Sequence, residues 1–328
     1  MLAFLVQRLF QAVLVMLAVA VIAFALFNYV GDPISSMVGQ DTSVADRERL
    51  RQELGLDDSF IVQFARFVGR AARGNFGLSY QQARPVGQII LEKMPATLEL
   101  SFVAATLALI IGVPMGIYTG LHRDTWLSQL LLAVSLVGVS LPTFLIGILL
   151  ILVFAVMLGW LPSFGRGSVV HFGWWSSGLV TLDGWGAIIM PAVTLSLFQM
   201  TLIMRLVRAE MFEVLRTDYI KFARARGLTN RTVNFGHALK NTLVPVITIA
   251  GLQLGSIIAF AIITETVFQW PGMGLMFIQA VSFADIPVMA AYLVLVGFFF
   301  VVINLVVDLL YHAVDPRLRL DRERVGVG

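Results

Sequence analysis

Six long apolar segments constrain the fold of this chain more than any other feature. Each has about the 20 residues that an α-helix needs to cross a hydrocarbon core of about 30 Å. We predict membrane spans at Leu9–Tyr29, Leu98–Thr119, Leu130–Leu158, Ala187–Met204, Leu243–Ile263 and Val288–Leu310. The strands of a membrane barrel would instead be short segments of alternating polarity, a pattern that this sequence lacks. The predicted fold class is an all-α membrane protein with about six transmembrane helices.

The composition supports a polytopic membrane protein. Apolar residues make up 58% of the chain and charged residues only 13%, whereas about a quarter of a soluble domain is charged. This excludes a soluble globular domain, a disordered chain and an amphipathic surface protein. The absence of cysteine excludes disulfides and iron–sulfur clusters. The net charge of +3 is too small to indicate a nucleic-acid partner.

Two of the six spans need closer interpretation. The first could be a secretory signal, but its apolar run exceeds the usual 7–15 residues and no small-residue cleavage site follows it. We interpret it as an uncleaved helix. The third is too long for one untilted span and contains Pro142. Because Ser140–Thr143 is too short and too apolar to separate two spans, we predict one helix, kinked or broken near Pro142.

Basic residues set the predicted orientation. With both termini inside, fourteen Lys and Arg side chains lie on the inner side and nine on the outer side. Eight of those nine fall in one long outer loop, and long loops cross the membrane largely regardless of charge. Five of the six tryptophans fall on the outer side, where the indole ring suits the interface. We therefore expect both termini in the cytoplasm.

The spans divide the chain into parts. We predict an N-terminal transmembrane helix (1–30), an extracytoplasmic loop (31–95), a core of five spans (96–314) with a cytoplasmic loop (205–242), and a cytoplasmic tail (315–328). In the outer loop, Phe60–Ala72 has apolar residues at helical spacing. Asp46–Leu54 mixes acidic and basic residues. We interpret the two segments as an interfacial helix pair that packs on the outer rim. The alternative is contact with a delivered solute or an external binding protein.

The cytoplasmic loop is the most informative segment. It carries eight basic and three acidic residues, which keep it in water, since Lys or Arg at the bilayer centre costs about 2.5–3.5 kcal/mol. Asp218 is placed to cap a short helix, Tyr219–Arg226, which Gly227 can end in the left-handed conformation. Thr229 or Asn230 is placed to cap the next helix. The pattern predicts a helix–glycine–helix device.

Two interpretations of this loop compete. It can be a solvated basic segment held by anionic lipid headgroups, or a docking helix for a cytoplasmic partner. We expect the small residues Ala223, Ala225 and Gly227 to be exposed, which would let another surface approach the backbone. The caps and the defined stop favour docking, because a purely electrostatic anchor needs neither.

Signatures of enzymes and nucleotide-binding proteins are missing. The sequence has no Gly-x-x-x-x-Gly-Lys-[Ser/Thr] loop, no His-Glu-x-x-His and no Gly-x-Ser-x-Gly. The four histidines are dispersed, so no metal site is predicted. A membrane-embedded enzyme would need a nucleophile and a base at membrane depth, and none is evident.

Three ionisable residues stand near the ends of spans, where we expect water to reach them: Glu99, Glu265 and Asp308. We interpret them as structural, with Asp308 pairing with His312 one turn later; a gating role, shared with Pro142, is the alternative. A proton-driven transporter is disfavoured, because carboxylates nearer the midplane and an inverted repeat are both missing.

Short motifs occur along nearly the whole chain. Outside the cytoplasmic loop they are Gly31–Pro33, Glu53–Asp57, Gly74–Ser79, Ala96–Leu100, Thr264–Phe268, Trp270–Gly274 and Asp315–Arg317. Inside it the motif comprises Asp218, Tyr219, Lys221, Phe222, Ala223, Arg224, Ala225, Arg226, Gly227 and Leu228. Together they resemble the permease subunit of bacterial ABC importers for dipeptides and oligopeptides, a family that also imports nickel and glutathione. Lys221-Phe222-Ala223 stands where the general permease motif begins Glu-Ala-Ala.

The resemblance implies a type I-like ABC importer permease in the bacterial inner membrane, a non-catalytic subunit that forms half of the translocation pathway. It also implies a second homologous permease, two cytoplasmic subunits that bind ATP and Mg, and an external solute-binding protein. The helix ending at Gly227 would be the coupling helix that docks on the ATPase. The expected substrate is a short peptide, with nickel chelates or glutathione as alternatives.

Overall fold

A computed structural model describes residues 2–29, 45, 48–49 and 57–314 of the chain. The helices are α1 (Leu2–Tyr29), α2 (Phe60–Ala71), α3 (Val86–Leu121), α4 (Trp126–Ser140), α5 (Thr143–Leu150), α6 (Leu182–Val214), α7 (Asp218–Ala225), α8 (Leu239–Val267), α9 (Met273–Ser282) and α10 (Ile286–Val314). A π-helical segment, Ile151–Met157, extends α5, and another, Thr232–Ala238, leads into α8. The motifs at Gly31–Pro33 and Asp315–Arg317 lie outside the described residues.

Five of the six predicted spans fall within single helices, and the third is interrupted at Leu141–Pro142, which confirms an all-α membrane fold. Four helices, α1, α3, α6 and α10, are each long and apolar enough to cross a membrane. A fifth crossing is formed if α4, α5 and the π-helical extension are counted as one broken span. The 29-residue helix α8 encloses the predicted span Leu243–Ile263.

The break at Pro142 is sharper than a proline kink. The helix axis bends by 109° between the helices on either side of Leu141–Pro142. Pro142 stands just before α5, and its carbonyl accepts hydrogen bonds from the first turn of that helix. The position suits proline because the amide that it lacks would have no partner there.

Helix α3 begins about three turns before the predicted start of the second span, at Val86 instead of Leu98. Hydropathy did not predict these first turns, because they contain Glu92, Lys93 and Pro95. A helix can carry charges and proline where it leaves the hydrocarbon. The extension brings the N-terminal end of α3 into contact with α9, through Val86, Ile89 and the buried Met273.

Helices α3 and α6 form the centre of the bundle. Gly112, Gly116 and Gly120 recur every fourth residue along α3 and face α6. A Cβ at Gly116 would lie 2.6 Å from the Cβ of Val207, so the backbones approach too closely for a side chain. Small residues at this spacing allow close packing of membrane helices, where van der Waals contact replaces the hydrophobic effect.

Helix α1 packs along α10, and an ion pair joins them. The Arg8 guanidinium lies 3.0 Å from the Asp308 carboxylate. The side chain of His312, the partner that the sequence suggested for Asp308, is outside the described residues. Helix α2 packs on α1 through Phe24, whose ring centroid lies 5.0–5.7 Å from those of Phe60, Phe64 and Phe67. The predicted helix at Phe60–Ala72 is thus confirmed.

A short hairpin, β1 (Val170–Phe172) and β2 (Trp175–Ser177), interrupts the helical architecture between α5 and α6. The strands are antiparallel, with His171 opposite Ser176. The inner residues of the hairpin, Ser176 and Ser177, are buried against the bundle. The hairpin therefore covers one end of α3.

Candidate functional site

The candidate functional residues lie at two opposite ends of the bundle. The segment around α7 precedes the first residue of α8, and Glu265 lies near the last residue of the same helix. Because α8 has 29 residues, these ends are about 40 Å apart along the helix axis. We call residues 218–238 the elbow. The polar cluster at the other end, around Glu99, Glu265 and Asp285, we call the outer network, after the side on which the sequence predicts it.

Helix α7 begins one residue earlier than predicted, at Asp218 instead of Tyr219. Thr217, in extended conformation, is the N-cap of α7, and Asp218 lies inside the first turn and makes no cap. Its carboxylate there interacts favourably with the helix dipole. It also accepts a 2.8 Å hydrogen bond from the Lys221 ammonium, which lowers the pKa of Asp218 below its usual value. The carboxylate therefore stays ionised at neutral pH.

Gly227 ends α7 in the left-handed conformation, as predicted, with φ +79°. The Gly227 amide donates to the Arg224 carbonyl at 2.9 Å, and the Leu228 amide donates to the Ala223 carbonyl at 3.4 Å. This pair of bonds is the Schellman pattern of a helix C-terminus. The Thr229 hydroxyl then accepts from the Thr232 amide at 3.4 Å, so Thr229 is the cap of the following helix.

The inner face of the elbow is anchored in the core. Ile220 is fully buried and Ala223 nearly so, in a cluster with Val207, Met211 and Val233. The prediction that Ala223 is exposed was wrong, because Ala223 lies one turn after Ile220 and shares its face. These contacts fix the helix against the ends of α6 and α8.

The outer face of the elbow leaves large apolar side chains uncovered. Phe222 is 64% exposed and Phe235 is 53% exposed, and Tyr219 and Leu228 are exposed beside them. We call these four residues the elbow face. The charged or small residues between them are also exposed: Lys221, Arg224, Ala225, Arg226 and Gly227. Aromatic rings exposed on an anchored, basic helix are typical of a surface that another protein covers.

At the opposite end, Glu265 is completely buried. Its carboxylate accepts a 2.6 Å hydrogen bond from the Thr97 hydroxyl and a 2.9 Å bond from the Leu275 amide in the first turn of α9. The Thr97 oxygen in turn accepts from the Met273 amide at 2.8 Å. Glu265 and Thr97 thus satisfy amides at the start of α9, which have no partner within their own helix.

The turn Trp270–Gly274 closes over this carboxylate. The Trp270 indole donates to the Ala96 carbonyl at 2.9 Å. A Cβ at Gly272 would overlap the Glu265 carboxylate, so only glycine fits at this position. The prediction that water reaches Glu265 was wrong, because the chain folds back over the end of the span.

Glu99 is also buried, contrary to expectation, and forms an ion pair with Arg166 at 2.5 Å. Arg166 further donates to the Ser176 hydroxyl at 2.9 Å and the Ser176 carbonyl at 2.6 Å. The pair links the hairpin to the N-terminal half of α3. A buried ion pair holds its geometry strongly, because removing one partner leaves an uncompensated charge.

A third buried carboxylate, Asp285, escaped the sequence interpretation. It accepts hydrogen bonds from the Ser79 hydroxyl and from the amides of Tyr80 and Gln81. Burial, and then the nearby Asp285 charge, raise the pKa of Tyr80 to about 12. The motif Gly74–Ser79 is therefore held at the N-terminus of α10. The contact between Ser79 and Asp285 could not be predicted from the sequence, because 206 positions separate the two residues.

Two neighbouring cavities lie next to the outer network. The first, about 520 Å³, is lined by Glu99, Ser101 and Trp175, among others, and the second, about 320 Å³, by Gln199 and Gln253. Both touch Ala105 and Ile303. The Ser101 hydroxyl and the Gln199 side-chain oxygen are buried without a hydrogen-bond partner. The cavities are otherwise mostly apolar.

The structure brings together only two of the four residues predicted to have gating or structural roles. Glu99 and Glu265 share the outer network, whereas Pro142 lies at the helix break and Asp308 on the far part of α10. The sequence interpretation missed Thr97, Arg166 and Asp285. A signal existed for Thr97, since it lies inside the motif Ala96–Leu100.

Comparisons with known proteins agree with this architecture. Residues 112–320 match the family model described as binding-protein-dependent transport system inner membrane component, and residues 1–101 match the model of its N-terminal region. The methionine ABC transporter MetNI, solved in inward-facing conformations, has a chain of similar fold. The TM-score is 0.53 at 20% identity, covering 69% of this chain and 96% of the other.

Two relatives extend over almost the full chain. The dipeptide transport system permease protein of Alkalihalophilus pseudofirmus is 36% identical over an alignment of 332 positions, which covers 97% of this chain and 100% of the relative. The glutathione transport system permease protein of Escherichia coli K12 is 35% identical, covering 97% and 99%. The chain therefore belongs to the family of inner membrane components of binding-protein-dependent transport systems, the permease subunits of ABC importers that its motifs resemble.

Proposed function

We propose that this chain is the permease subunit of an importer for short peptides, which it receives from an external binding protein. Membership of the family makes it a non-catalytic transport subunit, with ATP hydrolysis in separate subunits. In this proposal two cytoplasmic subunits hold ATP and Mg, and a second homologous permease completes the pathway. Both termini lie in the cytoplasm.

The elbow face is the observation that carries the proposal. Phe222 in α7 and Phe235 in the following π-helical segment are exposed, whereas Ile220 and Val233 of the same two segments are buried in the core. Burying an aromatic side chain at an interface contributes about 1.5–3 kcal/mol, so a partner gains affinity by covering them. Because the elbow is fixed to α6 and α8, movement of that partner would be transmitted to the spans.

Gly227→Val tests the elbow as the coupling element. We expect normal insertion and loss of uptake, because a β-branched residue at φ +79° costs about 1–3 kcal/mol and displaces the end of α7. Gly236→Val is the matched control, since Gly236 lies in the neighbouring helical segment without a positive φ. Uptake by Gly227→Val at the wild-type rate would refute the role assigned to this turn.

The names of the two relatives support a peptide substrate, since one transports dipeptides and the other glutathione, itself a tripeptide. Uptake of labelled dipeptides, oligopeptides, glutathione and nickel should be compared in a strain lacking this gene, with and without complementation. Restoration of peptide uptake is expected. Restoration of nickel uptake alone would replace the proposed substrate but leave the elbow's role standing.

The two cavities supply a candidate pathway through this half of the importer. Ser101 and Gln199 line these mostly apolar cavities, and their side-chain oxygens are buried without a hydrogen-bond partner. A buried polar atom without a partner costs about 1–3 kcal/mol. A passing peptide amide would satisfy them. Gln199→Leu should therefore slow peptide uptake while keeping the chain stable; unchanged uptake would place the pathway elsewhere.

A further inference from the structure

A basic cavity lies near the opposite end of the bundle from the outer network, beside the turn between α3 and α4. Its volume is about 440 Å³, and its lining consists of Arg123, Leu132, Arg205, Arg208, Ala209 and Phe212. Its lining residues on α6 lie beside the buried residues Met204, Val207 and Met211 of the same helix. The cavity is separate from the elbow face.

Arginines converge on this cavity by helical spacing. Arg205, Arg208, Phe212 and Arg216 occupy positions i, i+3, i+7 and i+11 of α6 and its C-terminal turn, and so share one face. The Arg123 guanidinium lies 3.2 Å from the centre of the Phe212 ring, and that of Arg216 lies 3.8 Å from it. The Phe212 ring thus contacts Arg123 and Arg216, and Arg205 and Arg208 line the same cavity.

These four guanidinium groups lack an anion. Within the described part of the chain, no carboxylate lies within 4.0 Å of any of them, and the ion pairs there involve other arginines and Lys221. Glu210 and Glu213 of the same helix form no ion pair with these arginines. Neighbouring guanidinium groups repel one another because they carry the same charge. A bound anion would offset this repulsion, so we expect the cluster to bind one.

The depth of the cluster places it at a membrane surface. Arg205 lies 23 residues after the first residue of α6, or about 35 Å along the axis, slightly more than the hydrocarbon thickness of about 30 Å. Trp126, 74% exposed, begins α4 at the same end, and Leu130 and Val134 are exposed one and two turns further on. An exposed tryptophan next to an apolar helix face is typical of the interface.

We propose that this cavity binds the phosphate of an anionic phospholipid headgroup, such as phosphatidylglycerol, from the leaflet on the elbow side. The planar guanidinium groups of Arg205 and Arg208 match phosphate oxygens with paired hydrogen bonds. Leu132 and the exposed face of α4 lie where an acyl chain would continue from the headgroup, which favours a lipid over a soluble anion. The site does not depend on the identity of the transported solute.

Native mass spectrometry of the full-length chain can test this proposal, with phosphatidylglycerol and phosphatidylcholine as probes. Arg205→Gln/Arg208→Gln should lower the affinity for phosphatidylglycerol about 30-fold, which is about 2 kcal/mol at 1.4 kcal/mol per factor of ten. The control Arg231→Gln/Lys240→Gln removes the same charge from exposed positions outside the cavity. It should lower the affinity for phosphatidylglycerol much less. Arg205→Lys/Arg208→Lys should lose less affinity than the glutamine pair.

Three results would overturn the site. Equal losses in the glutamine pair and its control would mean general attraction to a basic loop. Competition by inorganic phosphate at the same concentration as the lipid would mean a soluble anion site. Displacement of the lipid by the purified ATP-binding subunit, with loss of that subunit's binding in Arg205→Gln/Arg208→Gln, would make the cavity part of a protein interface. Equal melting temperatures without added lipid establish that the variants are folded.

Discussion

The outer network and the elbow are built in opposite ways. In the outer network, three carboxylates are buried and each finds its hydrogen-bond partners within the chain. On the elbow, the inner face is anchored in the core, but Phe222 and Phe235 remain exposed. The carboxylates at one end are satisfied within the chain, whereas the exposed rings at the other end gain stability when a partner covers them. Function that depends on a partner is therefore expected at the elbow.

Breaking the buried ion pair should have the largest effect on stability. Arg166→Leu leaves Glu99 buried without its cation, and we expect a loss of about 3–5 kcal/mol of unfolding free energy. The double variant Glu99→Leu/Arg166→Leu should recover most of it, because no lone charge remains. Thermal unfolding in detergent measures both. A wild-type melting temperature for Arg166→Leu would show that the outer network is not self-supporting.

Crowding the Glu265 carboxylate should have a smaller effect. Gly272→Ala places a methyl group where the carboxylate lies, and overpacking of this kind costs about 1–3 kcal/mol. Gly69→Ala is the control, since a Cβ at Gly69 in α2 meets nothing within 4 Å. The same unfolding assay should separate the two. Equal stability of both variants would argue against a closed turn at Trp270–Gly274.

Removing a ring from the elbow face should barely change stability but should weaken docking. Phe222→Ser is expected to alter unfolding by less than about 0.5 kcal/mol, because the side chain is exposed. It should nevertheless lower the affinity for the ATP-binding subunit about 30-fold, the effect of losing an interface hot spot of about 2 kcal/mol. Phe172→Ser, at an equally exposed ring of the hairpin, should leave that affinity unchanged. Co-purification of the subunits measures it, and equal retention by both variants would contradict the docking role.

The same contrast explains how far the sequence could predict the structure. The elbow was predictable because its determinants are local: the charges, the left-handed glycine and the Thr229 cap all lie within a few turns of one another. The spans were predictable from hydropathy for the same reason. Ala223 was misjudged because its burial depends on packing against α6, which local spacing does not reveal.

The outer network could not be predicted, because its contacts join residues that are distant in sequence. The Trp270 indole reaches Ala96 across 174 positions, and Arg166 reaches Glu99 across 67. Near the end of a span, a carboxylate is as consistent with solvent as with a buried pair. The motifs Ala96–Leu100, Thr264–Phe268 and Trp270–Gly274 were visible separately, but only the fold shows that they meet.

Cysteine accessibility at the elbow tests its role most directly, because the native chain contains no cysteine. Ala225→Cys labels the exposed side of α7, and Leu182→Cys, 92% exposed at the start of α6, labels the opposite end. In intact cells a membrane-impermeant maleimide should react with Leu182→Cys only, and Ala225→Cys should cross-link to the ATP-binding subunit of the assembled importer. Labelling of Ala225→Cys from outside, or failure to cross-link in the intact importer, would contradict a cytoplasmic docking elbow.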